Sequence, residues 1–298
     1  VDRELFDGDF LKKLEYLSLV SRRLYRGEAR GGHASPRRGA SVDFADYRGY
    51  QPGDDFRFID WNIFARLDRL FVKLFAEEED LSVHLLLDAS RSMAFGSPRK
   101  MDYARRLAAA LGYVGLSSLD RVGAASFSDR LGATLAPRRG RSQVFHLLDH
   151  LGRIAPGGRT DISRALEEYA LRSGSPGLAV VVSDLLDGAG SAAWQRGLQA
   201  LRYRGFDVVL VQVLDRDEIA PNQEGLLRFA DMETGRTLSV AVDARLRAAY
   251  RRRTAAFFAG IEEFCMQARI EYLRTSTVVP FEDVVLKYLR QGAHLHSR

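Results

Sequence analysis

A carboxylate and two hydroxyls stand at alternate positions where an apolar run stops: Asp88, Ser90 and Ser92, in Leu85-Leu86-Leu87-Asp88-Ala89-Ser90-Arg91-Ser92-Met93. Alternate side chains of extended backbone share a face, so the three oxygens can converge on one point beyond a buried strand. Hard oxygen donors carrying little charge suit Mg²⁺, which prefers octahedral oxygen coordination and keeps several waters. By itself the Asp-x-Ser-x-Ser pattern serves equally well as a polar turn, because Asp and Ser are common turn and cap residues. Two further groups fall in comparable places. Thr160 lies in Gly157-Gly158-Arg159-Thr160-Asp161, a loop that feeds a helix, and Asp184 ends the run Leu178-Ala179-Val180-Val181-Val182-Ser183-Asp184. The plain alternative for Thr160 is an N-cap, its hydroxyl accepting from the first helical turn.

The elements that must position these groups can be read from hydrophobic period. Strands are expected at 70–75, 83–88, 122–127, 178–184, 208–213 and 270–274, with a short edge strand over 129–139. Helices are expected at 9–26, 101–119, 142–151, 161–171, 194–203, 244–268 and 281–290. The 101–119 segment carries its apolar residues at 104, 107, 108, 111 and 114, the stripe of a helix that covers a sheet. Residues 226–242, broken at Glu233-Thr234-Gly235-Arg236, read as a hairpin insertion. Strands and helices alternating in this way predict an α/β fold, a doubly wound, mostly parallel sheet of Rossmann type with helices on both faces. Such sheets bind ligands beyond the carboxyl ends of their strands, where the strand order switches. Asp88, Asp184 and the Thr160 loop all fall on that rim.

Ahead of this domain, residues 1–79 are expected to form a small accessory subdomain, with 80–298 as the main one. After the 9–26 helix, with Leu11, Leu14, Leu17, Leu24 and Tyr25 near helical spacing, Gly27–Gly39 has loop composition. Asp43 to Arg66 is dense in charges and aromatics around the turn Pro52-Gly53. Arg48, Arg57 and Arg66 can pair with Asp54, Asp55 and Asp60 while Trp61 and Phe58 bury, so a structural role is preferred to a catalytic one. Loss of Arg57 or Asp60 is therefore expected to lower stability.

Composition narrows the function classes. The 298 residues are 46% hydrophobic and 28% charged, with a net charge of +5, as in a globular α/β protein. Only five of the 44 basic residues are lysine, and the arginines are scattered among acids rather than gathered with aromatics, which disfavours nucleic acid as a partner. The lone Cys265 excludes an intramolecular disulfide and a cysteine-based zinc site, consistent with a cytoplasmic location. No apolar run is long enough to suggest a membrane span, and charges run through residues 1–20, so neither a signal peptide nor an anchor is visible in these residues, and a longer chain could carry either. Neither G-x-x-x-x-G-K-[ST] nor G-x-G-x-x-G follows any strand, against a nucleotide site.

The motifs D-A-S-R-S, G-G-R-T-D and V-V-S-D, in that order, closely resemble the metal-ion-dependent adhesion site (MIDAS) of von Willebrand factor A domains, over roughly residues 80–275. The preceding D-Y-R-G-Y-Q-P-G-D-D-F-R-F-I-D-W-N-I-F-A-R resembles the signature of the bacterial domain-of-unknown-function family fifty-eight. Its members carry such a stretch before such a domain and are typically encoded beside MoxR-type AAA+ ATPases. The resemblance implies that Ser90 and Ser92 ligate Mg²⁺ or Mn²⁺ directly, that Asp88 and Asp184 bind directly or through water, and that Thr160 engages according to conformational state. It also implies an open coordination position for an Asp or Glu of a partner protein.

Two functions follow for comparison. The first is a non-enzymatic, metal-dependent protein-binding module, an adaptor or chaperone-like partner of a MoxR-type ATPase or its client. The second is a metal-dependent hydrolase. Against the hydrolase, no histidine lies in the three motifs and no second carboxylate pair presents itself as a general base. His84 falls within a strand and reads as a core or sheet-face residue, while His33, His146, His150, His294 and His296 lack metal-ligand spacing. Asp102 and Asp187 lie close enough to the rim in sequence to be tested there.

Overall fold

The computed structural model describes residues 5–28, 44–75, 81–186, 193–232 and 235–295. Most of the Gly27–Gly39 loop, the Glu77–Asp80 acidic run, Asp187 and the Glu233-Thr234 break in the hairpin lie outside these residues. The chain divides into two compact units, one built from residues 1–24 and 81–296, the other from 25–80.

The first helix, α1 (Gly8–Glu28), buries Phe10, Leu14 and Leu17 at positions i, i+4 and i+7, the stripe that sets an amphipathic helix on a core. Its partners belong to the larger unit. The Phe10 ring lies 5.3 Å from that of Phe281, and Lys13 pairs with Glu282 at 2.5 Å. The domain boundary expected at residue 79 is corrected accordingly: residues 1–24 group with the sheet rather than with an accessory subdomain.

In the smaller unit, β1 (Phe44–Gly49) runs antiparallel to β2 (Phe71–Phe75), with α2 (Trp61–Leu67) between them in sequence. Asp60 caps α2, its Oδ1 accepting from the backbone N–H groups of Asn62 and Ile63, while its Oδ2 takes Tyr47 Oη at 3.0 Å and Lys73 Nζ at 3.1 Å. Arg48 pairs with Asp54 and Arg57 with Asp55 as expected. The expectation for the aromatics fails, because Phe58 and Trp61 are 43% and 60% exposed. A two-stranded ribbon with one short helix offers too little interior to enclose them.

The larger unit continues with β3 (Ser82–Asp88), α3 (Lys100–Ser117), β4 (Arg121–Phe127), β5 (Leu131–Arg138), α4 (Arg141–Arg153), α5 (Ile162–Arg172), β6 (Leu178–Ser183), α6 (Ala193–Tyr203), β7 (Asp207–Leu214) and the short α7 (Arg216–Ile219). Then come β8 (Gly225–Ala230), β9 (Thr237–Val242), α8 (Ala244–Gln267), β10 (Glu271–Ser276) and α9 (Phe281–Leu295). Six strands form one sheet in the order β10-β7-β6-β3-β4-β5, parallel except for β5, which lies antiparallel at the edge. The sheet is therefore mixed α/β and mostly parallel. β8 and β9 pair only with each other, as the expected hairpin.

β3 is buried at every position, as expected of a central strand covered on both faces. Leu85 and Leu87 enter one core with Met101, Ala104, Leu107 and Leu111 of α3. Leu86 enters the other with Ile162 and Leu166 of α5, Trp194 of α6 and Ile261 of α8. Connections leaving β3 run toward β4 on one side, and those entering β6 lie on the other, so strand order reverses between β3 and β6. Among the described residues, no helix is long and apolar enough to cross a membrane.

Candidate functional site

The rim at this reversal is tied together through the backbone. Ala89 N–H donates to the Phe127 carbonyl at 2.6 Å, Gly157 N–H donates to the Ala89 carbonyl at 2.7 Å, and Asp161 N–H donates to that of Ser128 at 3.1 Å. The ends of β3 and β4 thus hold the loop carrying Thr160.

Asp88 closes β3 with no solvent exposure. Its Oδ1 accepts from Ser90 N–H at 2.8 Å and its Oδ2 from the Ser183 hydroxyl at 2.6 Å. Burial, with the neighbouring Asp184 charge adding to it, pushes the Asp88 carboxyl up to about 7, against the opposing hydrogen bonds. Ser90 is fully buried, and its hydroxyl lies 2.9 Å from that of Ser92. The two hydroxyls meet, but not by the alternation anticipated from extended backbone, because the chain turns into a short 3-10 segment, Arg91–Ala94, right after Ser90.

Asp184 follows β6 at a sharp turn. Leu185 adopts φ 58°, a left-handed conformation that costs a non-glycine residue energy. The turn is held because Ser183 Oγ accepts from Leu185 N–H at 2.9 Å while donating to Asp88. Asp184 Oδ1 accepts from Leu186 N–H at 2.9 Å, and its carbonyl accepts from Gln212 Nε2 at 3.0 Å. Thr160 is buried, but the α5 N-cap is Asp161, whose side chain accepts from Arg164 N–H at 3.1 Å. The capping role weighed for Thr160 thus belongs to its neighbour. Asp102 pairs with Arg105 one turn along α3.

Three side chains at the rim escaped the sequence reading. Lys100 has no exposure, and its ammonium donates to Asp184 Oδ2 at 2.6 Å and to Glu218 Oε1 at 2.5 Å. Burial pulls the Lys100 pKa down, but the two carboxylates outweigh it and hold the amine above its ordinary value. Burial in turn raises the Glu218 carboxyl. The third, Gln212, is buried and accepts from Tyr272 Oη at 2.5 Å while holding the Asp184 carbonyl. Lys100 carried a signal: it stands four residues before Ala104, on the apolar stripe of α3, in a chain that otherwise prefers arginine.

Between Ser92 and Lys100 the chain passes through Gly96 at φ +96°, where a Cβ would sit 2.6 Å from Asp215 Oδ2. Only glycine takes that conformation readily and leaves room for the approach.

Among the described residues, no three His, Cys, Asp or Glu side chains gather as a metal cluster. The rim's donors are instead two buried carboxylates and neutral hydroxyls, a set that fits hard Mg²⁺ or Mn²⁺ and not zinc.

Comparison with known proteins gives three kinds of likeness. An uncharacterised protein of Mycobacterium tuberculosis is 28% identical over 263 residues, spanning 87% of this chain and 82% of that protein. The crystal structure of an aerotolerance-related membrane protein from Bacteroides fragilis aligns at 20% identity and TM-score 0.48, over 72% of this chain and 99% of that one. A von Willebrand factor type A protein from Catenulispora acidiphila aligns at 12% identity and TM-score 0.39, over 76% of this chain and 44% of that one. The family model described as "Protein of unknown function DUF58" matches residues 46–257, and the chain belongs to that family.

Proposed function

We propose that this chain is a cytoplasmic protein-binding module that captures an Asp or Glu side chain of a partner protein at a Mg²⁺- or Mn²⁺-dependent rim of adhesion-site type, formed by Asp88, Ser90, Ser92, Thr160 and Asp184. The observation that carries the reading is the pair of hydroxyls, Ser90 and Ser92, 2.9 Å apart beside a buried Asp88 where the strand order reverses. When bound, the ion supplies an electrophilic coordination position able to accept a carboxylate. The protein's part is to keep that charge from being cancelled. Ser90 and Ser92 contribute neutral oxygens, while Asp88 is fixed by Ser183 and by the Ser90 backbone so that it approaches in one orientation. The resemblance implies a gene neighbourhood beside MoxR-type AAA+ ATPases, and on that ground such an ATPase, or its client, is the proposed partner, with this chain as an adaptor and not an enzyme.

The hydrolase alternative needs a base able to reach solvent or substrate. Asp88, whose pKa near 7 would suit one, has no exposure to solvent. Purified MoxR-type ATPase passed over the immobilised chain in Mg²⁺, in EDTA and with Ser90→Ala tests the proposal. Retention in Mg²⁺ alone is expected. Equal retention in all three arms sinks capture through the metal.

A further inference from the structure

Lys100 joins three parts of the rim. Its ammonium reaches Asp184 after β6 and Glu218 in α7, and it lies 5.8 Å from the centroid of the Phe95 ring in the loop leading from β3. Glu218 is itself anchored, since its Oε2 accepts from Asp215 N–H at 2.8 Å and its carbonyl accepts from Tyr250 Oη at 2.6 Å. A lysine ammonium is a compact point charge with three donors. Two of those donors are here spent on carboxylates, one of them the fully buried Asp184, while the ammonium itself has no exposure, and an unpaired buried ion of either sign is strongly disfavoured.

We infer that Lys100 is the positioning residue that sets the rim's affinity for divalent cations: its ammonium, held in place by Glu218, competes with the ion for Asp184. The inference rests on the reading of this rim as a divalent site. Two substitutions should then act in opposite directions. Lys100→Met releases Asp184 and removes a positive charge from beside the ion. Glu218→Gln removes one of the ammonium's two anionic partners, so that Lys100 depends more heavily on Asp184 and excludes the ion more effectively. Opposite signs are what the two charge changes give when both groups lie close enough to the ion to act on it.

Mn²⁺ binding followed by electron paramagnetic resonance, with circular dichroism on the same samples, separates the outcomes. Lys100→Met should bind Mn²⁺ tighter by roughly tenfold or more, the scale of removing one nearby charge at partial screening. Glu218→Gln should bind more weakly than wild type, and adding Asp88→Ala to Lys100→Met should abolish the gain. Should Lys100→Met fail to fold, the Glu218→Gln arm decides, because equal or tighter binding there overturns the inference. Wild-type binding with no change in either variant refutes the role of Lys100 and leaves the divalent reading standing. Absence of Mn²⁺ from both the wild type and Lys100→Met refutes the divalent reading and the inference together.

Discussion

Lys100 Nζ and Asp184 Oδ2 lie 2.6 Å apart across 84 residues of sequence, and neither side chain reaches solvent. The contact carries the start of α3 to the carboxyl end of β6, so it spans the same reversal of strand order that holds the hydroxyls. The rim is therefore closed by charge as well as by backbone.

Removing Lys100 leaves the buried Asp184 without its cation, whereas removing Asp184 leaves Lys100 still paired with Glu218. Lys100→Met should cost about 3–5 kcal/mol, as is typical of broken buried pairs, and Asp184→Asn clearly less, while the double variant should cost less than the sum of the two. Urea unfolding of the four proteins measures the coupling. Additive losses would mean that the two groups are not energetically linked.

The smaller unit makes a sharper distinction than its charge pattern implied. Asp60 is buried, caps α2 and receives both Tyr47 and Lys73, and its carboxyl is held down to about 2, with the Lys73 hydrogen bond opposing the effect of burial. Arg57 is 74% exposed, and its pair with Asp55 contributes little once screened by solvent. Thermal melts should show Asp60→Ala clearly destabilised and Arg57→Ala indistinguishable from wild type. The expectation that loss of either residue lowers stability is on this ground kept for Asp60 and withdrawn for Arg57.

His84 predicts an acid sensitivity of the core. Burial lowers its pKa from 6.5 to about 4, in a setting where Nδ1 meets Tyr169 Oη at 2.7 Å and the ring packs on Phe206 at 5.1 Å. Between those two values the unfolded chain binds a proton that the folded chain refuses, so the contribution is complete above pH 6.5 and is lost as pH falls toward 4. Between pH 7 and 5 the wild type should lose on the order of 2 kcal/mol more than His84→Gln. Parallel stability curves for the two proteins would show that His84 is not the sensor.

How much of this was legible follows from what each residue's neighbours require. Runs such as Leu85–Leu87 and Val180–Val182 can only be buried strands, so the sheet, its rim and the places of Asp88 and Asp184 were readable. The Ser90–Ser92 meeting was anticipated from alternation but is made by a 3-10 turn. The place of Lys100 on the apolar stripe of α3 hinted at burial but not at the rim, because its partner Glu218 lies in a helix of four residues that has no periodicity to detect. Phe58 and Trp61 misled for the converse reason: aromatic content signals burial only where enough chain surrounds it. The cap of α5 turned on a single position, Asp161 rather than Thr160, because adjacent residues both have capping chemistry.

Gly96 ties the loop after β3 to α7, and its replacement should therefore reach the rim without touching a donor. Its φ of +96° disfavours any side chain, and an added Cβ would meet Asp215 Oδ2 at 2.6 Å and the Pro98 carbonyl at 3.1 Å. Asp215 cannot swing aside cheaply, since its Oδ1 accepts from Asp217 N–H at 2.9 Å as the N-cap of α7 and its backbone N–H binds Glu218. Strain of this kind typically costs about 1–3 kcal/mol. Gly96→Ala should thus lower stability by that order and loosen Glu218, and with it the hold on Lys100. Amide hydrogen exchange should record the change as faster exchange at Asp217 and Glu218 than in wild type, while β3 stays protected. If exchange in α7 is unaltered in a folded Gly96→Ala protein, the loop and α7 are not mechanically connected through Asp215.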